Sequence, residues 1–364
     1  MRLGNRVTIL RNGATLADML ELITGAKETI DLSSYIFWPG DVADRYIDAL
    51  GDRARAGVEV NMIVDGYGSA KLDKDHRDRL RRSGVNLSVF RPPRWHNVHK
   101  LNNRMHRRIL VVDGRVGFAG GVGIADEWTG DAHDAQHWRE THLRIEGPAV
   151  RDLFGAFLEN WSEATGELLT GRHFVDAAEG FDDGMAVQVM KSTPTGGYTA
   201  ASMLFHAAIA GAQRRLWITT AYFAPDEAFE DALGDAARRG VDVRILVNGH
   251  EVDKEVARQA GHRSNEKLLE AGVRVFEYER TMMHAKVMLV DDQWANVGSS
   301  NFDSRSFTHD PELNVVLPNS PELVAELEGH FLDDFGGSRE FELEAWRKRP
   351  VHNKVAEYVT DIAR

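Results

Sequence analysis

Short runs rich in β-branched residues alternate along the chain with longer stretches in which apolar side chains recur every three to four positions. Ile30 to Phe37 (IDLSSYIF) has the character of a strand, and Asp41 to Ala56 gathers Val42, Tyr46, Ala49 and Leu50 on one face of a helix. GVEVNMIVDG from Gly57 and SGVNLSVF ending at Phe90 add two further strand-like runs. Strands alternating with helices predict an α/β fold, a central mixed sheet flanked by helices.

The succession then returns. LWITTAYF ends at Phe223, GVDVRILVNG starts at Gly240 and AGVRVFEY ends at Tyr278. MHRRILVVD from Met105 is matched by MHAKVMLVD from Met283, and GAFLENW from Gly155 by GHFLDDF from Gly329. Offsets of 174 to 188 residues make the chain two tandem copies of one module. We expect a first domain over 1–169, a linker over 170–184 (TGRHFVDAAEGFDDG) and a second domain over 185–364. Two long copies, each carrying its own candidate site, predict a pseudo-twofold, bilobal arrangement with one site at the seam.

Composition narrows the chemistry. With 364 residues, 43 % hydrophobic and 27 % charged, the chain can build an ordinary globular core. Zero cysteines exclude disulfides, thiolate metal sites and a cysteine nucleophile. A net charge of −12 argues against coating nucleic acid electrostatically, so no nucleic-acid partner is expected. The N-terminal residues lack a signal-peptide apolar core, and no window approaches 18 consecutive apolar residues. Nothing in the sequence is expected to span a membrane; if the protein meets lipid, it does so from the aqueous, cytoplasmic side, and no obligate protein partner is evident.

The sharpest pattern is His284-Ala-Lys286, four apolar residues, Asp291, then GSSNFDSRSF from Gly298. On a strand, residues two apart share a face, so His284 and Lys286 project together while Asp291 fixes the turn at the strand end. Ser299, Ser300 and Asn301 add hydroxyl and amide groups, the composition of a phosphate cradle. The first copy repeats the pattern as His106-Arg107-Arg108, ILVV, Asp113, then Gly120 and Gly121. Two such pairs suit phosphodiester transfer: one imidazole attacks phosphorus, the other protonates the leaving alcohol, and the cations hold the oxygens. No metal or other cofactor is expected, because Lys and Arg neutralise the charge. Each histidine needs an orienting carboxylate; Glu140, 34 residues after His106, and Glu312, 28 after His284, are the candidates.

These two H-x-[KR]-x4-D elements, with GSSNFDSRSF behind the second, resemble the phospholipase D superfamily. Within it GNRVTILRNG, VDGYGS, RIEGP and DDQWANVGSSNFDSRSF look most like stretches of bacterial cardiolipin synthases. The resemblance covers essentially the whole chain. It implies a phosphatidyltransferase of phospholipid biosynthesis, with His106, Arg108, Asp113, His284, Lys286 and Asp291 in the catalytic motifs and His106 as the nucleophile. Two positions depart from the pattern: Arg108 replaces a lysine, and Gly123 stands where an asparagine usually follows the two glycines. Hydrolysis by the same intermediate, a nuclease-type phosphodiesterase, or a catalytically impaired lipid-binding relative remain open.

From Arg77 to Arg108 ten Lys/Arg residues face one acid, Asp78, so this stretch carries +9. Arg91, Arg94 and Trp95 within it are candidates for docking on an anionic membrane. Asp65 and Tyr67 line the site or form a turn. Ser304 and Arg305 shape the cradle or serve only structure. His133 and His137 have helical metal-ligand spacing but no evident third ligand.

Overall fold

A computed structural model describes residues 1–92, 103–173, 180–193, 199–253 and 255–349. The first half runs β1 (Arg2–Arg11), α1 (Ala14–Gly25), β2 (Thr29–Ser34), α2 (Asp41–Arg55), β3 (Glu59–Asp65) and α3 (Lys74–Arg82). It continues through β4 (Asn86–Phe90), β5 (Ile109–Val112), β6 (Val116–Gly120), β7 (Thr141–Glu146) and α4 (Val150–Thr165). The second half opens with β8 (Met185–Ser192), α5 (Ala200–Gly211), β9 (Arg215–Thr219), β10 (Phe223–Ala224), α6 (Glu227–Arg238) and β11 (Asp242–Asn248). Next come α7 (Glu255–Glu270), β12 (Arg274–Tyr278), β13 (Val287–Val290), β14 (Trp294–Gly298), β15 (Phe302–Asp303) and α8 (Ser304–Thr308). The described fold closes with β16 (Glu312–Pro318), α9 (Pro321–Gly336), β17 (Ser338–Glu340) and α10 (Leu343–Arg347).

The mixed α/β architecture and the duplication are both present. Among the described residues fifteen strands form one sheet whose centre is the antiparallel β1–β8 pair. Outward from it, one wing is β7-β6-β5-β2-β3-β4 and the other β16-β14-β13-β9-β11-β12, with β17 added at the edge. Strand for strand the wings correspond, which places the pseudo-twofold axis at β1–β8. In each wing the helical crossovers give parallel pairs (β2–β3–β4, β9–β11–β12) and the tight turns give antiparallel ones (β5–β6, β13–β14). β5 and β13 are buried at every position, as their unbroken apolar runs require.

One face of the sheet carries α4 and α9. Leu153, Phe154 and Phe157 from α4 share an apolar cluster with Val324, Leu327 and Phe331 from α9 and with Val187 and Leu313, so this core is continuous across the two halves. The opposite face has a separate cluster in each half, under α1–α2 and under α5–α6. The described parts of 170–184 are tied down. His173 is buried between Asp31 and Glu59 (3.0 and 2.9 Å), and the Phe181 N–H donates to Gly4 O at 2.9 Å.

Asp113 and Asp291 occupy equivalent turns with φ of 50° and 52°. The Asp113 carboxylate accepts the backbone N–H groups of Lys27, Glu28 and Thr29, and Asp291 those of Gln213, Arg214 and Arg215. Both lie beyond the C-terminal ends of β5 and β13, whereas the histidines precede the N-terminal ends. Asp291 thus fixes the turn at the strand end as expected, and Asp113 does the same in the first half; each carboxylate is engaged in turn geometry at the far end of the strand from its histidine.

The +9 stretch is not one surface either. Arg107 and Arg108 are buried, Arg79 pairs with Asp44 and Asp48, and Arg91 donates to Glu163 on α4 at 2.6 Å. Arg91 thus has a structural partner, while Arg94 and Trp95 lie outside the described residues. Among the described residues no helix is long and apolar enough to cross a membrane.

Candidate active site

The segments that lead into β5 and β13 meet at the seam, and each is held by the opposite half. The His106 N–H donates to Pro311 O (3.1 Å) and the His284 N–H to Arg139 O (2.8 Å). One residue earlier the two halves use equivalent positions at the ends of β3 and β11: Met105 N donates to Asp65 Oδ2 (2.9 Å), Met283 N to Asn248 Oδ1 (2.6 Å). Arg104 N adds a bond to Asp310 Oδ1 at 2.8 Å. Arg139 is itself locked by a buried ion pair with Asp334 on α9. A buried pair of this kind contributes most by fixing geometry, because breaking it strands a charge.

The orienting carboxylates cross the seam. His106 Nδ1 faces Glu312 Oε1 and Oε2 at 2.9 and 3.0 Å, and His284 Nδ1 is hydrogen-bonded to Glu140. Sequence offsets pair each histidine with the glutamate of its own module; the structure pairs it with the other. Glu312 also accepts the Ser299 hydroxyl, and Glu140 the Thr141 N–H at 2.9 Å. Both carboxylates are fully buried. Desolvation pushes the Glu312 pKa up to about 7 despite Ser299, Ser306, Arg108 and Lys286, and it raises Glu140 as well.

Arg108 defines the His106 tautomer. Arg108 Nη2 lies 3.2 Å from His106 Nε2. A guanidinium has no acceptor, so it donates to the Nε2 lone pair and leaves the Nδ1 proton for Glu312. Arg108 Nε is buried with no hydrogen-bond partner in the structure, a donor left for a ligand oxygen. Lys286 Nζ donates to His284 O. Burial lowers the Lys286 pKa to about 7, with Arg108 also lowering it and Glu140 and Glu312 opposing.

The expected cradle divides. Ser299 turns toward Glu312, and the Ser300 hydroxyl accepts from Asn314 Nδ2 at 2.7 Å. Asn301 keeps a buried Oδ1 without a hydrogen-bond partner in the structure. Gly120 and Gly121 provide room instead of donors: a Cβ would fall 2.5 Å from His142 Nδ1 at Gly120 and 2.3 Å from Glu140 Oε2 at Gly121. Gly123, in the place of the usual asparagine, gives its space to Trp128, whose ring would lie 2.9 Å from a Cβ there. Trp128 aims its indole N–H at Glu140 Oε2 from 3.5 Å and packs edge-on against His284 at 5.3 Å, with Trp138 on the same imidazole at 5.6 Å. Tyr35 packs on His106 at 4.9 Å. Ser304 begins α8, and Arg305 reaches Asp310 at 3.4 Å.

Asp65 both forms its turn, accepting Tyr67 N and Gly68 N, and holds Met105. His137 faces Asp134 at 2.7 Å. Tyr35, Trp128, Arg139, Asn248 and Asp310 escaped sequence reasoning. Only Asn248 had a signal, its match to Asp65 in the repeat.

Both modules match the family model described as cardiolipin synthase, PLD-like domain, over residues 19–160 and 205–335. The chain belongs to that family. It is 36 % identical to a cardiolipin synthase of Alkalihalophilus pseudofirmus over 345 residues, covering 94 % of this chain and 68 % of the relative. A cardiolipin synthase of a Geobacillus species is also 36 % identical over 361 residues, covering 98 % and 72 %. Among solved structures, the phosphatidylserine synthase of Haemophilus influenzae shares the fold with a TM-score of 0.75 at 13 % identity, over 98 % of this chain and 92 % of that one. As a family member the chain is a phosphodiester-transferring enzyme.

Proposed function

We propose that the chain is a cardiolipin synthase-like phosphatidyltransferase that works through a phosphohistidine on His106. The phosphate of a first phospholipid sits between the His106/Arg108 and His284/Lys286/Asn301 groups, with the Arg108 Nε–H on one of its oxygens. His106 Nε2 attacks phosphorus, the P–O bond to the headgroup alcohol breaks, and the His284 imidazolium gives its proton to the leaving oxygen. Neutral His284 then takes the proton of a second lipid's hydroxyl, which attacks phosphorus and breaks the P–N bond. Both histidines return to their starting states.

The observation that carries this assignment is the inequality of the two imidazoles. Arg108 donates to His106 Nε2 and so maintains a lone pair there, as a nucleophile requires, whereas Lys286 donates to the His284 carbonyl and not to its ring. The working unit comprises both modules, 1–169 and 185–364 joined by 170–184, because each supplies the carboxylate that orients the other's histidine.

Thin-layer analysis of phosphatidylglycerol vesicles incubated with the pure protein tests the activity. Cardiolipin and glycerol are the expected products. Phosphatidic acid would assign hydrolysis in place of transfer, and unchanged lipid would contradict both.

A further inference from the structure

The loop after β3 carries side chains that the chemistry at the seam does not use. Tyr67 is 58 % exposed, among the few large apolar side chains left in solvent in the described residues. The Arg104 guanidinium stacks 4.3 Å from the Tyr67 ring centroid, and the Lys71 ammonium sits 3.6 Å over the Trp38 ring. Both pairs stand against the walls of the site. Trp38 Nε1 donates to Gly68 O at 2.8 Å, and its ring lies 6.5 Å from Trp128 and from Trp138, which flank His284. A Cβ on Gly68 would fall 2.3 Å from Tyr35 O, so the loop is clamped on the residue that packs against His106. Its outer side therefore forms a rim over both half-sites.

Two aromatic rings with polar edges, each carrying a cation, fit an anionic bilayer. Tyrosine and tryptophan settle at headgroup depth, and lysine and arginine pair with lipid phosphates. Stacking holds the two long cationic side chains over their rings, which reduces the entropy lost when they bind.

We propose that Trp38, Tyr67, Lys71 and Arg104 form a docking rim that seats the mouth of the site on an anionic phospholipid surface. A headgroup then passes from bilayer to His106 without crossing bulk water. This inference rests on the phospholipid activity proposed above, and its test separates the two.

Vesicle flotation gives the first readout. At about 1 kcal/mol per basic residue near an anionic surface, Lys71→Ala should lower partition onto phosphatidylglycerol-rich vesicles about fivefold. Adding Tyr67→Ala should bring the loss to about tenfold or more, and Tyr67→Trp should retain binding. Turnover of monomeric, short-chain phosphatidylglycerol is the second readout, and the double variant should match wild type within about twofold. Full vesicle binding by the double variant overturns the inference. So does an equal fall on monomeric and vesicle substrates, which would make the loop part of the site's scaffold. Wild-type binding to single-stranded DNA in preference to vesicles, lost in the double variant, would reassign the rim to nucleic acid and overturn it too. Rim-dependent vesicle binding with no turnover of either substrate leaves the rim standing and refutes the activity.

Discussion

Crossed orientation of the histidines can be separated kinetically, because the two carboxylates should control different steps. Glu312 holds His106 and Glu140 holds His284. Replacing either by Gln keeps the shape and removes one charge-assisted bond to a buried imidazole, worth roughly 1.5–3 kcal/mol or about a 10- to 150-fold change in rate. A p-nitrophenyl ester of phosphatidic acid supplies a leaving group that needs no proton, so its rapid burst reports attack by the nucleophile alone. Glu312→Gln should slow that burst about 10- to 150-fold. Glu140→Gln should leave the burst within about threefold of wild type while slowing steady-state transfer to the acceptor lipid, which needs His284 as base. A burst abolished by Glu140→Gln and spared by Glu312→Gln would refute the crossed arrangement.

With the Lys286 pKa held near 7 by burial, its positive charge is lost as pH rises, so kcat/KM should fall on the alkaline side of neutrality. Lys286→Arg should move that limb upward by at least one pH unit, measured by rates from pH 6 to 9. Asp113→Ala and Asp291→Ala each remove a carboxylate that caps three backbone N–H groups, so each should cost about 1–3 kcal/mol in denaturant unfolding with kcat nearly unchanged in the folded fraction. Gly121→Ala would drive a methyl group into the Glu140 carboxylate; kcat should drop about tenfold or more through the lost orientation of His284 while far-ultraviolet circular dichroism stays unchanged.

The duplicated order of strands and helices was legible because each module repeats the same hydrophobic periods, and the two wings of the sheet reproduce it. His106, Arg108, His284 and Lys286 were legible as well, since alternation on a strand puts residues two apart on one face. Partnership across the seam was not. Glu140 and Glu312 sit at the starts of β7 and β16, and only the pseudo-twofold axis decides which histidine each one meets. Trp128 was hidden for a related reason: its value lies in filling the space that Gly123 leaves open, and a glycine in a sequence does not say what moves in. Depth within the basic run from Arg77 to Arg108 was not legible, because charge in sequence says nothing of burial; Arg107 and Arg108 are interior, and Arg79 and Arg91 have carboxylate partners.

The covalent step is the centre of the account, and peptide mass spectrometry tests it most directly. His284→Ala incubated with the p-nitrophenyl ester, then quenched and digested, lacks the base for the second step and should accumulate the phosphatidyl adduct. The predicted result is that mass addition on the peptide containing His106, and its absence in His106→Ala. An adduct on the His284 peptide of the wild-type protein, or full turnover with no adduct on any histidine, would contradict it.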